Sequence, residues 1–168
     1  RFVASRTEKK FRPGYDLTLR PPKSVSVIWA LGGPEIAGTV RDAHTAAVDQ
    51  VVAYYEQHAV RARSPRSGRR VETHGMIAAA FDHRTSRAGD PLLHTHVVAA
   101  NMTRFDTDDE AGVWRAVESS ALFDHAKAGG CLYQAHLRYE LSRRLSVDFT
   151  PTVNGYAEVA GVPDKVIE

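Results

Sequence analysis

The segment from Glu35 to about Val60 constrains the fold more than any other part of the sequence. It contains no proline, and its apolar residues recur at intervals of three and four positions, which is typical of one face of an α-helix. These positions are Ile36, Val40, Ala43, Ala47, Val51 and Tyr54. A helix with such an apolar stripe buries it against another layer of structure. The segment therefore predicts a long helix packed on a sheet or on a second helix.

The rest of the chain predicts strands and further helices. Strands are predicted at residues 15–20, 71–83, 92–105 and 113–117, with a closing hairpin at 149–153 and 156–159 around Asn154-Gly155. Helices are predicted at residues 24–31 and from 119 or 120 to about 145, and residues 163–168 are predicted to start a further helix. The second long helix shares one apolar face among Leu122, Ala126, Tyr133, Leu137 and Leu141. Gly129-Gly130 either weakens the middle of this helix or permits close packing. The order predicts an α+β fold, with a central antiparallel β-sheet flanked by long α-helices.

Length and composition predict one globular domain over residues 1–168. Of the 168 residues, 43% are hydrophobic and 25% are charged, which suits a single compact core. No apolar run approaches the ~20 residues that a membrane-spanning helix needs, and the polar, basic N-terminus is unlike a signal peptide. Cys131 is the only cysteine, so a disulfide framework is excluded. We therefore expect no membrane association and a reducing, cytoplasmic location.

The charges are nearly balanced, but the basic residues are clustered. The net charge of +2, from 22 basic and 20 acidic residues, does not by itself indicate a nucleic-acid-binding protein. Five arginines fall within residues 61–70, here called the arginine segment: Arg61, Arg63, Arg66, Arg69 and Arg70. Acidic residues gather at Asp106, Asp108, Asp109 and Glu110, which indicates an exposed turn. The arginine segment is either a solvated, mobile loop or a loop that contacts phosphates.

Three histidines are spaced so that they could share one metal ion. His94 and His96 are two residues apart in a predicted strand, so their side chains project to the same face. His83 ends the preceding predicted strand, and Gly89-Asp90-Pro91 supplies a turn that can bring it alongside. Three imidazoles would leave coordination positions open, as a catalytic metal site requires. A half-buried strand can also carry such histidines without a metal, and the pattern alone leaves both interpretations open.

Other ionisable residues carry weaker signals. The remaining histidines fit no cluster and are expected at the surface or hydrogen-bonded in the core: His44, His58, His74, His125 and His136. Asp16 lies in the first predicted strand, where aspartate is depleted. From its position alone, its side chain is expected to face solvent.

Three blocks of the sequence occur in an order and spacing that characterise one protein family. They are Gly14-Tyr15-Asp16-Leu17-Thr18-Leu19 followed by Pro22-Lys23-Ser24-Val25-Ser26, His83-Arg84-Thr85-Ser86-Arg87 followed by Asp90-Pro91, and Leu93-His94-Thr95-His96-Val97-Val98 followed by Asn101. Together they resemble the TrwC-type (MobF) conjugative relaxases, a group of HUH endonucleases. The resemblance extends over most of residues 14–162, and the combination is far more specific than any single block. It implies an antiparallel sheet flanked by helices, in agreement with the prediction above.

The resemblance implies a metal-dependent enzyme that acts on single-stranded DNA. It implies that His83, His94 and His96 bind one divalent ion, and that Asp16 hydrogen-bonds the outer nitrogen of one of them and fixes its tautomer. The resemblance further implies that the ion would bind the scissile phosphate at a plasmid transfer origin while a tyrosine attacks the phosphorus. Strand transfer would later reverse the resulting 5′-phosphotyrosine link. Magnesium or manganese is expected in function, with zinc, nickel or another transition ion as alternatives. Accessory conjugation proteins and a C-terminal helicase region are expected partners of the parent protein.

The sequence departs from the family pattern at the nucleophile. In the family, the nucleophilic tyrosines lie near the N-terminus, well upstream of the block that contains Asp16. Here 15 residues precede Asp16, and the only tyrosine among them is Tyr15, which is interpreted as a packing residue. We therefore expect residues 1–168 to form a relaxase core that lacks the N-terminal segment with the nucleophile, and to be inactive alone.

Two possible DNA contacts and two rival functions stay open. Lys23 and Arg87 lie in the matching blocks and either contact phosphate or merely begin a helix and occupy a turn. The first rival is a three-histidine phosphodiester hydrolase that uses water. Its general base would be Asp16 or Asp82, although strand alternation points Asp82 away from His83. The second rival is a non-catalytic single-stranded DNA-binding module, which the aromatic content of 8% supports weakly.

Overall fold

A small antiparallel sheet with helices on one side organises the chain in a computed structural model, which describes residues 12–64, 66–106 and 111–167. The strands are β1 (Gly14–Leu19), β2 (Ala62–Arg63), β3 (Arg70–Val71), β4 (Ala78–Thr85), β5 (Pro91–Ala100), β6 (Thr103–Phe105) and β7 (Val113–Arg115). The helices are α1 (Lys23–Leu31), α2 (Gly33–His58), α3 (Ser119–Asp124), α4 (Ala126–Leu145) and α5 (Asp164–Ile167). The central sheet has the order β1-β5-β4, and β2-β3 and β6-β7 form separate pairs. The α+β prediction is confirmed.

Helices α2 and α4 pack together and cover one face of the sheet. The predicted apolar face of α2 is buried, with Val40, Ala43 and Ala47 at 0% exposure, and belongs to the same core as residues of β5. The two helices approach closely at Gly129, where an added Cβ would lie 2.6 Å from Cε2 of Tyr55. The glycine therefore serves close packing, which was one of the two alternatives for Gly129-Gly130.

Side chains of β5 alternate between the two faces of the sheet. Leu93, Thr95 and Val97 are each 2% exposed and face the helices. His94 and His96 are half-buried on the other face. We call these the covered face and the open face. Strand β4 forms an edge of the sheet, and all eight of its residues are exposed.

Two predicted strands are interrupted. The predicted strand 71–83 divides into β3 and β4, because the backbone turns at Gly75, whose φ is +101°. The predicted strand 92–105 divides into β5 and β6, because Asn101 leaves the ladder. Its side-chain oxygen instead accepts hydrogen bonds from the Val117 N–H (3.0 Å) and the Tyr15 hydroxyl (3.4 Å). The strands before and after the acidic residues pair as β6-β7. Asp108, Asp109 and Glu110 lie outside the described residues.

The predicted helix from 119 or 120 to 145 is also interrupted. The chain leaves the helix at His125, which ends α3 and precedes α4. The Nδ1 atom of His125 lies 2.7 Å from the Tyr54 hydroxyl, so a contact with α2 accompanies the break. Leu122, Tyr133, Leu137 and Leu141 are buried as predicted. Ala126 is exposed, and its assignment to the apolar face was wrong because the break changes the helical phase.

The C-terminal part forms the predicted turn but only part of the predicted hairpin. Asn154 and Gly155 have φ values of 50° and 90°, as a two-residue hairpin turn requires. The flanking segments pair only through isolated bridges, Phe149 with Val159 and Val153 with Tyr156. The predicted final helix begins at Asp164. Within the described ranges, no helix combines the length and apolar character needed to cross a bilayer.

Candidate metal centre

Three histidines converge on the open face of the sheet. His94 and His96 are alternate residues of β5, and His83 of β4 pairs directly with His94. The ring centroids are 5.0 Å apart for His83 and His94, 4.9 Å for His83 and His96, and 5.2 Å for His94 and His96. One ligand atom from each ring lies within 4.8 Å of the others. Nitrogens this close to one another could serve together as ligands of one metal ion.

Hydrogen bonds fix the tautomers of two of the rings. His96 Nδ1 lies 2.8 and 2.9 Å from the two carboxylate oxygens of Asp16, so it must donate a proton to that carboxylate. His94 Nδ1 lies 2.9 Å from the carbonyl oxygen of Leu92 and donates to it. Each neutral ring then carries no proton on Nε2, which leaves a lone pair for a metal. The partner that the resemblance implied for Asp16 is therefore His96.

The alternation of side chains along β1 places Asp16 and Thr18 beside His96. Asp16 and Thr18 are alternate residues of β1, and Thr18 pairs with His96. Their side chains therefore reach the same open face, where the Thr18 hydroxyl lies 3.2 Å from His96 Nδ1. The β4–β5 register becomes irregular between His83 and Thr85, immediately beside the histidine cluster. Such irregularities re-aim side chains at the ends of strands.

The donor set fits a divalent ion. Three neutral imidazoles that reach one point from two adjacent strands suit a borderline transition ion by their softness. They leave coordination positions open, and the histidines lie on a face that the helices do not cover. An exposed site with open positions can admit a phosphodiester, whereas a structural metal site is closed by protein ligands.

Asp82 lies on the covered face, as strand alternation predicted. It pairs with Thr95, and its Oδ1 accepts a hydrogen bond of 2.6 Å from the Thr95 hydroxyl. Asp82 therefore points away from the three rings. Asp16 is already hydrogen-bonded to His96, so neither aspartate is a free general base on the open face.

The six tyrosines of the chain make contacts elsewhere. Tyr15 packs against the core and hydrogen-bonds Asn101, in agreement with its interpretation as a packing residue. Tyr54 contacts His125, and Tyr133 contacts His44. Among the described contacts, no tyrosine hydrogen-bonds or stacks with His83, His94 or His96.

The arginine segment is held by Glu118. Arg63 and Arg70 reach its carboxylate at 3.4 and 2.9 Å. The Ser120 hydroxyl first, and then these arginines, hold the pKa of Glu118 below its ordinary value. Arg61 donates to the carbonyl oxygens of Gln57 and Val60. Arg66 and Arg69 are exposed. No described contact joins this segment to the three histidines.

The two other candidate DNA contacts are Arg87 and Lys23. Arg87 is exposed in the turn that joins β4 to β5, which is closed by the Ser86 N–H and the Asp90 carbonyl at 2.9 Å. Lys23 is half-buried and begins α1.

Sequence reasoning missed the Leu92 carbonyl, since backbone groups leave no signal in the sequence. Thr18, two residues after Asp16, could have been found by strand alternation.

Comparison with known proteins identifies the family. The family model described as TrwC relaxase matches residues 1–168. The multifunctional conjugation protein TraI of Escherichia coli is 36% identical over 164 residues, which are 92% of this chain but 9% of TraI. The metal-bound structure of the conjugative relaxase TrwC in complex with oriT DNA is 32% identical with a TM-score of 0.85, covering 99% of this chain and 55% of that one. A structure of TrwC with a 27-mer DNA comprising the recognition hairpin and the cleavage site is 33% identical with a TM-score of 0.81, covering 98% of this chain and 56% of that one. The chain spans about half of the solved relaxases and a small part of TraI, and it belongs to the TrwC relaxase family.

Proposed function

We propose that this chain is the metal-binding core of a conjugative relaxase that nicks and rejoins single-stranded DNA at a transfer origin. The observation that carries the proposal is the convergence of His83, His94 and His96 on the open face, with His96 oriented by Asp16. The family membership supports the substrate, because the related TrwC has been solved in complex with oriT DNA. His83, His94 and His96 are the proposed metal ligands.

The residues of this chain have separate proposed roles in that reaction. A divalent ion held by the three imidazoles would act as a Lewis acid towards a phosphoryl oxygen. Asp16 accepts the Nδ1 proton of His96 and thereby keeps Nε2 available as a ligand. The Leu92 carbonyl does the same for His94. Both rings are thus prepared before a ligand arrives, so little reorganisation accompanies binding.

The nucleophile is proposed to come from outside residues 1–168. In the covalent mechanism, a tyrosine oxygen bonds to phosphorus as the bond to the 3′ oxygen breaks, which leaves a 3′ hydroxyl and a 5′-phosphotyrosine. The tyrosines of this chain are engaged elsewhere, as Tyr15 and Tyr133 illustrate. We therefore propose that this chain alone forms no covalent link to DNA.

The rival functions receive less support. A water-dependent hydrolase needs a general base near the metal, but Asp16 is bonded to His96 and Asp82 lies on the covered face. A purely non-catalytic binding module gives no reason for three oriented imidazoles at one point. These functions are distinguished by their products, since hydrolysis leaves a free 5′ phosphate and binding alone leaves the strand intact.

The finer details are also proposals. Magnesium or manganese is proposed in function, although three imidazoles also accept zinc, nickel and other transition ions. Arg87 and Lys23 are proposed to contact DNA phosphates, with the arginine segment as a more distant contact. For the parent protein we propose a cytoplasmic location, accessory conjugation proteins and a helicase region as partners.

The proposal is tested by looking for a covalent protein–DNA adduct. A longer parent that supplies the N-terminal tyrosine segment and this chain alone are each incubated with single-stranded origin DNA, with divalent metal or with a chelator. The parent is expected to form an adduct only with metal, and this chain to form none under either condition. An adduct formed by the chain alone would contradict the assignment of the tyrosines. A free 5′ phosphate without an adduct would favour the hydrolase.

A further inference from the structure

A row of polar side chains, buried except for Asp82 at its end, crosses the molecule directly behind the three histidines. The Tyr133 hydroxyl of α4 lies 2.7 Å from His44 Nδ1, and His44 Nε2 of α2 lies 2.7 Å from the Thr95 hydroxyl of β5. The Thr95 hydroxyl in turn lies 2.6 Å from Asp82 Oδ1 of β4. The row therefore links both long helices to the two strands that carry the histidine cluster. The sequence alone predicted only that His44 lies at the surface or is hydrogen-bonded in the core.

Every proton in this row has one possible position. The Thr95 hydroxyl donates its single proton to Asp82 Oδ1 and so has none left for His44. The contact between Thr95 and His44 then needs a proton on His44 Nε2. A neutral His44 has no proton left for Nδ1, which therefore accepts from the Tyr133 hydroxyl. The hydrogen bonds run in one direction, from Tyr133 through His44 and Thr95 to Asp82.

Burial makes this arrangement strict. His44 is 0% exposed, Tyr133 1% and Thr95 2%, so water cannot replace a missing partner. Burial lowers the pKa of His44 to about 4, which keeps the ring neutral and preserves the tautomer that the row requires. A buried donor or acceptor that loses its partner is strongly unfavourable. The row therefore fixes the relative positions of the four elements more tightly than apolar packing would.

The row reaches the sheet at residues that are adjacent to the three proposed metal ligands. Thr95 lies between His94 and His96 in β5, and Asp82 immediately precedes His83 in β4. Asp82 and Thr95 form the pair next to His83 and His94. The pair of His83 with His94 is the last one before the register becomes irregular. The side-chain hydrogen bond between Asp82 and Thr95 therefore holds the register one pair before the last regular position. A shift there would separate His83 from the two histidines of β5.

We propose that His44 is a positioning residue for the metal centre, acting through Thr95 and Asp82 to hold His83 beside His94 and His96. The inference rests on the proposed metal site but concerns residues on the other face of the sheet. His44 touches neither metal nor DNA in this role. Its effect is on the relative positions of the three ligands. It therefore affects the affinity of the site for a metal ion and the coordination geometry of that ion.

Substitutions at Thr95 test this inference with minimal change of shape. Thr95→Val keeps the volume but removes both hydrogen bonds, whereas Thr95→Ser keeps the hydroxyl. The dissociation constant for Co²⁺ is measured by titration, together with the visible absorption spectrum of the bound Co²⁺, which reports ligand geometry. Thr95→Val and His44→Phe are expected to raise the dissociation constant about tenfold, the lower end of the effect of removing a supporting partner. Both are expected to change the spectrum, and Thr95→Ser is expected to restore the wild-type values.

Val51→Ala is the matched control for loss of stability. Val51 is 1% exposed in α2, the helix that carries His44, but it contacts none of the polar row in the described hydrogen bonds. It should lower the melting temperature and leave the dissociation constant and the spectrum unchanged. If Thr95→Val and His44→Phe behave like Val51→Ala, the row is only structural and the inference is wrong. If the wild-type chain binds no Co²⁺, both the proposed metal site and this inference are wrong.

Discussion

The two faces of β5 place polar side chains one residue apart under opposite conditions. On the covered face, Thr95 is 2% exposed, and both hydrogen bonds of its hydroxyl go to fixed partners, His44 and Asp82. On the open face, His96 keeps 28% of its side chain exposed, and only one ring nitrogen is occupied, by Asp16. A saturated, buried group can hold structure but cannot receive a ligand. A half-satisfied group at the surface can do so, and the same strand therefore combines a rigid support with a binding site.

The largest effect, a loss of metal binding, is expected from a substitution that changes only the open face. His94→Ala removes one of three ligands from two oriented rings, and we expect stoichiometric metal binding to be lost. The free energy of unfolding of the metal-free protein should change by less than about 1 kcal/mol, because the site lies on a partly solvated face. Elemental analysis and urea unfolding measure the two effects.

His136→Ala is the matched control for that experiment. His136 is also half-buried but lies on α4, where its ring is 6.1 Å from that of Tyr139. This variant should keep the wild-type metal content. Unchanged metal in His94→Ala, or equal loss in both variants, would contradict the assignment of the ligands.

The difference between the faces also determines what the sequence could predict. The spacing of His94 and His96 placed both rings on one face, because strand alternation is a local property. The same local rule placed Asp82 on the opposite face, and the apolar period of α2 predicted its buried side. All these features depend on residues only a few positions apart.

Features that depend on several elements could not be predicted. The row from Tyr133 to Asp82 joins four elements that are distant in sequence, and each of its residues alone resembles an ordinary core or surface residue. The breaks at Asn101 and His125 likewise depend on contacts with Val117 and Tyr54 from other parts of the chain. Apolar periodicity continues across both breaks. A prediction from periodicity therefore gives one long strand and one long helix where tertiary contacts divide each into two elements.

The next effect concerns the covered face and depends on pH. The pKa of His44 is lowered from 6.5 to about 4, so the unfolded chain takes up a proton near pH 6.5 while the folded chain stays neutral until about pH 4. Stability from the neutral ring is therefore fully present above pH 6.5 and is lost as the pH falls towards 4. The difference corresponds to about 3 kcal/mol. Urea unfolding of the metal-free protein between pH 7.5 and pH 4 measures it.

His44→Gln isolates this contribution from the other histidines. The other seven histidines are the same in both proteins, so the difference between the two pH profiles belongs to His44 and the groups that face it, Tyr133, Asp82 and His94. The variant should be less stable at pH 7 and should lose less stability on acidification. Parallel profiles for the two proteins would show that His44 does not titrate as its burial requires.

The smallest effect compares two neighbouring valines that differ only in the face they occupy. Val97 is 2% exposed on the covered face, and Val98 is 44% exposed on the open face. Threonine has nearly the same shape as valine, so Val97→Thr buries a hydroxyl among apolar side chains and should lower the free energy of unfolding by about 1–3 kcal/mol. Val98→Thr places the same hydroxyl in water and should change stability by no more than about 0.5 kcal/mol. Thermal or urea unfolding of the pair measures the contrast without altering any proposed ligand. Equal losses for the two variants would mean that something covers the open face in solution, and the metal site would then have to admit DNA by another route.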